Sequence, residues 1–123
     1  MKYHLVALTL LASLGVAAQS QVQKSMLDTF VKYASIDSQS SNDSICTQGQ
    51  HNMALALKAD VEDAVAKAKT SGVKIELSDA NYLYVTIPAN VKAGCPTMGI
   101  SCHIDVTPEA PGGNITPIVD TRN

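Results

Sequence analysis

Apolar side chains recur along this chain first with a helical period and then with a period of two, and each rhythm predicts its own element. Leu27, Phe30, Val31 and Ala34 fall at i, i+3, i+4 and i+7, the spacing that lines one side of a helix over about Lys24 to Ala34. From Ser35 to Gly49 large apolar groups almost vanish while serines and the turn-formers Asp37, Asn42 and Asp43 accumulate, which predicts a surface loop about fifteen residues long. Helical spacing returns at Ala54, Leu57, Val61, Ala64, Val65 and Ala68. It predicts a second helix from about Gln50 to Thr70, with Gly72 placed to end it in a left-handed conformation. The period then shortens. Lys74 to Leu77 alternates polar and apolar, Ser78 to Asn81 reads as a turn, and Tyr82 to Ile87 is β-branched and aromatic, so two neighbouring strands are expected before Pro88. Met98 to Val106 is a mostly apolar run, predicting a third strand buried on both faces of an α/β sheet. Pro108, Pro111, Gly112 and Gly113 then exclude a regular element from Thr107 to Asn114. Two helices followed by about three strands make the fold class α/β.

The first eighteen residues stand apart from this pattern. Lys2 gives a short positive start, Leu5 to Ala18 is uncharged and rich in Leu and Ala, and Val16, Ala17 and Ala18 offer small residues for cleavage. A membrane span needs roughly 20 apolar residues. This run is shorter, and polar Gln19 to Gln23 follows at once. Residues 1–18 therefore read as a signal peptide, and the rest as an exported chain, periplasmic or secreted, with no stable membrane span after signal removal.

Composition narrows the partners. Without Lys2 the chain has eight basic against eleven acidic side chains, a charge of −3, with no Trp and one Phe. Neither the basic stripe nor the stacking platform of a nucleic-acid binder is present. Its 123 residues allow one modest domain. Three cysteines, Cys46, Cys95 and Cys102, leave at least one unpaired; a Cys95 to Cys102 bridge is open to an exported chain, but an odd count is a poor disulfide framework.

The informative chemistry lies in Ser101-Cys102-His103-Ile104-Asp105. On a strand, side chains two apart project to one face, so His103 and Asp105 share a surface while Cys102 and Ile104 look the other way. An imidazole at a strand end is a good zinc ligand, and a carboxylate beside it can fix its tautomer. The same geometry also suits a hydrogen-bonded structural pair. A four-ligand site of Cys95, Cys102, His103 and Asp105 is disfavoured because Cys102 points away from His103 on a regular strand. His51, at the start of the second helix, reads as a polar ring facing solvent, Tyr82 and Tyr84 as packing groups, and Glu62, Asp63, Lys67 and Lys69 as the solvated side of that helix.

Several segments, taken in order, resemble the start of peptidase T, a family of two-zinc aminopeptidases that release the N-terminal residue of tripeptides. They are Met26 to Tyr33, Gly49-Gln50, Ile87 to Val91, Gly99 to Pro108 and Gly113 to Pro117, so the resemblance runs from about Gln23 to Ile118. It implies that residues 19–123 are the N-terminal portion of a zinc aminopeptidase catalytic domain, that short peptides are the substrates, that His103 is the first zinc ligand, and that Asp105 is the catalytic-site carboxylate orienting it. It further implies metal-assisted hydrolysis in which two zinc ions polarise the scissile carbonyl and acidify a shared water, and a glutamate takes the proton.

The chain departs from the pattern in two ways. The family's bridging aspartate, glutamate pair, further aspartate and distant histidine lie after the His-x-Asp strand, whereas here Glu109 and Asp120, the acidic residues after Asp105, match none of them. One imidazole is too few ligands for catalytic zinc, which usually keeps three protein ligands, so a fragment inactive alone is expected. The export signal is the other departure, since typical members look cytoplasmic. The alternatives are a non-enzymatic remnant or a small secreted binding module.

Overall fold

A computed structural model of the chain describes residues 21–92, 94–110, 112–113 and 115–120. The signal peptide expected over residues 1–18 lies outside the described residues. The described residues divide between two units, one holding residues 21–35 and 117–120 and the other those between 36 and 116.

In the first unit residues 21–34 are helical (α1). The Lys24 to Asp28 ion pair, 2.6 Å and one turn apart, supports the exposed side. Ser35 closes the last turn, its amide and hydroxyl both donating to the Val31 carbonyl at 3.1 and 2.7 Å. Phe30, part of the predicted stripe, is exposed.

The second unit is built around helix α2, Gln48–Ala68. It starts two residues before the position that periodicity suggests, because Thr47 caps it. The Thr47 hydroxyl accepts from the Gln50 amide at 3.2 Å, and the Gln50 carboxamide accepts from the Thr47 amide at 2.7 Å. This reciprocal pair satisfies two amides that a helix start otherwise leaves without partners. At the far end Lys69, not Gly72, takes the left-handed conformation (φ 52°), and its amide turns back to the Ala66 and Val65 carbonyls. Gly72 is left-handed too (φ 77°), but it serves the turn into the first strand. Lys58 to Glu62 (2.7 Å) and Lys67 to Asp63 (2.6 Å) lace the solvated side. The Asp63 carboxylate, by hydrogen bond and charge, raises the Lys67 ammonium above its ordinary range.

Strands β1 (Lys74–Leu77) and β2 (Leu83–Thr86) form an antiparallel hairpin in which Ile75 faces Val85 and Leu77 faces Leu83. The pleat puts these four apolar residues on one side, and β1 lies against α2. Asn81 supplies the left-handed turn position (φ 62°), a conformation Asn tolerates better than most residues. The polar side carries Tyr84, whose ring lies 6.2 Å from that of Tyr82. Both rings are exposed, so they pair at the surface instead of packing inside. His51 is also corrected. Its ring is half-buried and Nδ1 meets Asn81 Oδ1 at 2.7 Å, so it ties α2 to the hairpin turn.

The third predicted strand does not form. Residues 98–105 carry no ladder, and Met98 and Ile100 are exposed. An apolar run becomes a doubly buried strand only between two other strands. Here the pairing reduces to one parallel bridge, Gln39 to Val106. Buried apolar side chains among the described residues are Met53 and Ala54, beside buried Ser38. With so thin a core, capping and hydrogen bonds carry a large share of the unit's stability. Replacing Thr47 with Val removes the cap and a further bond to Gln39, so denaturant unfolding followed by circular dichroism should show a loss of about 1–2 kcal/mol.

Candidate metal-binding segment

The loop over residues 35–47 folds back on the polypeptide that follows His103. The Ser40 amide and hydroxyl both donate to the Val106 carbonyl at 2.9 and 3.0 Å, and the Val106 amide donates to the Ser38 carbonyl at 3.3 Å. The Gln39 carboxamide donates to the Pro108 carbonyl at 2.6 Å. Behind this contact, the Thr47 hydroxyl donates to the Gln39 carbonyl at 2.8 Å, joining it to the start of α2. Backbones pass closely here. A Cβ on Gly49 would collide with the Asp37 carbonyl oxygen, and one on Gly112 would lie 2.8 Å from Asp37 Oδ1 and 2.9 Å from Val106 Cγ2.

His103 and Asp105 stand immediately before this junction. They come together, but not through the pleat of a strand: the ring bends toward residue 105. His103 Nδ1 lies 3.0 Å from the Asp105 carbonyl oxygen and 3.3 Å from Oδ1. A carbonyl oxygen only accepts, so Nδ1 is the donor in this contact, and in the neutral ring that leaves the lone pair on Nε2. The backbone contact is the shorter, and 3.3 Å is at the long end for an N–H···O bond. The His103 side chain is 85% exposed and that of Asp105 35%, so Nε2 faces outward. Nearby, the hydroxyl of Thr107 donates to the Glu109 carboxylate and holds it below the ordinary glutamate range.

This donor set fits one position of a metal site. Nε2 is accessible, directed by its other nitrogen and chemically suited to zinc. Among the described residues no group of three or more His, Cys, Asp or Glu side chains is placed to hold a metal ion. Cys46, Cys95 and Cys102 are free thiols, with Cys46 Sγ donating to the Ala80 carbonyl at 3.4 Å. Sequence reasoning picked out His103 and Asp105 but missed Thr47 and Gln39. The Thr47-x-x-Gln50 spacing is a legible capping signal, whereas nothing local marks Gln39, whose partner Pro108 is 69 residues away.

Comparison with known proteins agrees with the motif resemblance. Peptidase T of Salmonella arizonae is 34% identical over 95 residues, covering 75% of this chain and 22% of the relative. Peptidase T of Geobacillus thermodenitrificans is 33% identical over 100 residues, covering 78% of the chain and 23% of the relative. The Parabacteroides distasonis protein of the same name is 33% identical over 99 residues, with 78% and 23% covered. The chain spans less than a quarter of the length of these relatives and matches them as an N-terminal portion does. No family model and no solved structure matches it.

Proposed function

We propose that the chain is the N-terminal part of a peptidase T-like zinc aminopeptidase, that it acts on short peptides, tripeptides among them, and that residues 1–18 export it. The observation that carries this reading is the ring of His103, whose Nδ1 lies 3.0 Å from the Asp105 carbonyl oxygen while its side chain is 85% exposed, an arrangement that in the neutral ring leaves the Nε2 lone pair for a metal ion. The ordered peptidase T-like segments supply the reaction class. His103 would hold zinc through Nε2, and Asp105 would fix the ring by accepting from Nδ1. Zinc, when bound, supplies polarisation of the scissile carbonyl and a more acidic water. The other ligands and the general base come from polypeptide outside the described residues, and residues 19–123 contribute the opening portion of the catalytic domain, without peptidase activity on their own.

The test is N-terminal residue release from tripeptides by the complete gene product, with zinc content measured on the same sample. Cleavage that disappears on chelation and returns with zinc is the expected result. A zinc-loaded complete protein that leaves tripeptides intact refutes the assignment.

A further inference from the structure

We propose that Cys95 and Cys102 are the two halves of a redox site, joined as an intrachain disulfide when the chain meets a small-molecule disulfide such as oxidised glutathione. The proposal goes beyond the peptidase reading and shares with it only the export step, which would carry the chain to an oxidising compartment. Both thiols are free and exposed. So is every residue from Gly94 to His103. Among the described residues none forms a hydrogen bond with residues 95–102, and the first such bonds to another segment beyond them are those of Val106. Gly99 has open space where a Cβ would stand. The stretch that carries the two thiols is therefore free to bend.

The spacing of the cysteines fits one bend. A two-residue turn at Met98-Gly99, with glycine at the position that takes a left-handed backbone, sets Thr97 opposite Ile100, Pro96 opposite Ser101 and Cys95 opposite Cys102. Pro96 then falls on a pair that exchanges no backbone hydrogen bonds, so its missing N–H is not called on. Cys95 and Cys102 fall on the next pair, where Cα atoms stand about 5.5 Å apart. A disulfide takes Cα separations of roughly 4.4–6.8 Å. In the reduced chain this stretch is irregular, and the bond selects the bent form. Cys46 stands apart. It is half-buried in the loop that leads into α2, with Sγ donating to the Ala80 carbonyl at 3.4 Å. The odd count of thiols is thus one pair and one thiol held elsewhere. In the exchange one cysteine thiolate attacks the small disulfide and expels a thiolate, leaving a mixed disulfide, and the other cysteine thiolate displaces the second small thiol. The two cysteines lose two protons and two electrons, and the small disulfide is reduced to two thiols. The closed ring ends at the residue before His103, so it stiffens the chain leading to that side chain.

The experiment equilibrates the full chain at about pH 8, where an ordinary thiol is partly ionised, with oxidised and reduced glutathione. A short flexible linker gives an effective concentration in the millimolar range, so each form is set at about 1 mM. Free thiols are then blocked and the protein is digested with trypsin. No lysine or arginine lies between Lys92 and Arg122, so Cys95 and Cys102 share one peptide and Cys46 lies on another. The shared peptide should be lighter by two hydrogens and unblocked, with Cys46 blocked, and this ring should outnumber glutathione adducts. Gly99→Val penalises the left-handed turn position and should lower the ring-closing constant about tenfold. Nothing packs within 4 Å of a Cβ at Gly99, so the variant keeps the fold. Free thiols, glutathione adducts alone, a bond to Cys46 or a bond between two copies overturns the proposal. A ring indifferent to Gly99→Val overturns the turn on which it stands. None of these results touches the zinc or export readings. A chain that closes the ring in glutathione yet stays inside its cell removes export and leaves the pair standing.

Discussion

Gly49→Ala should destabilise the unit spanning residues 36–116 by about 3 kcal/mol or more, although propensity alone points the other way. Gly49 lies in the first turn of α2, and Ala in place of Gly inside a helix is ordinarily worth up to about 1 kcal/mol of stabilisation. Here the added methyl would collide with the carbonyl oxygen of Asp37 and sit 2.9 Å from its carbonyl carbon. Both are backbone atoms, so no rotamer change relieves the overlap. Either the helix start or the loop must move. Overpacking in well-packed sites costs about 1–3 kcal/mol and sometimes more, and this overlap is deeper than a strained rotamer can absorb. Against the roughly 5–15 kcal/mol margin of a folded domain, that loss is large for a unit with so few buried apolar side chains. Denaturant unfolding measures it directly. Equal or greater stability of the Ala variant would show that Asp37 and α2 do not approach as described. Because Asp37 leads directly into the segment that bridges to Val106, the same substitution should also disturb the His103 signals.

What the sequence could and could not reveal follows from how local each cause is. Strand β1 has the predicted bounds, Lys74–Leu77, because alternation over four residues is a local property of the pleat. Helix α2 was legible through its stripe, but its start depended on a side chain outside the stripe, Thr47, and its end on Lys69 taking a left-handed backbone that Gly72 would have taken at less cost. The run Met98 to Val106 misled for a different reason. Apolar composition records a preference for burial without naming the partner strand, and among the described residues only Val106 finds one, in Gln39. For the candidate site, the pleat argument brought His103 and Asp105 together by the wrong route. The pair meets because a flexible ring turns onto the carbonyl two residues ahead, a contact open to irregular chain as well as to a strand.

That distinction sets the expected sizes of the two most direct substitutions at the site. Under the proposed zinc-peptidase function, His103→Ala in the gene product assayed above should abolish binding of one zinc and reduce tripeptide cleavage to background, because catalytic zinc usually keeps only three protein ligands and cannot spare one. Asp105→Ala should do much less. Loss of a group that orients a metal-bound histidine typically costs 10–100-fold in affinity or activity. The low end, about 10-fold, is expected here, because the substitution leaves the backbone carbonyl in place. That carbonyl lies 3.0 Å from Nδ1, whereas the carboxylate oxygen is at 3.3 Å and is partly screened by water. Neither change should unfold the chain. With 85% of its side chain exposed, His103 contributes little packing, so the stability of His103→Ala should stay within about 0.5 kcal/mol of the parent. Zinc stoichiometry, a competition titration against a chelating dye and the tripeptide assay, run on the same preparations, separate these effects. A loss in Asp105→Ala as complete as in His103→Ala would mean that the carboxylate itself binds metal. A fully zinc-loaded and active His103→Ala protein would move the metal centre away from this segment altogether.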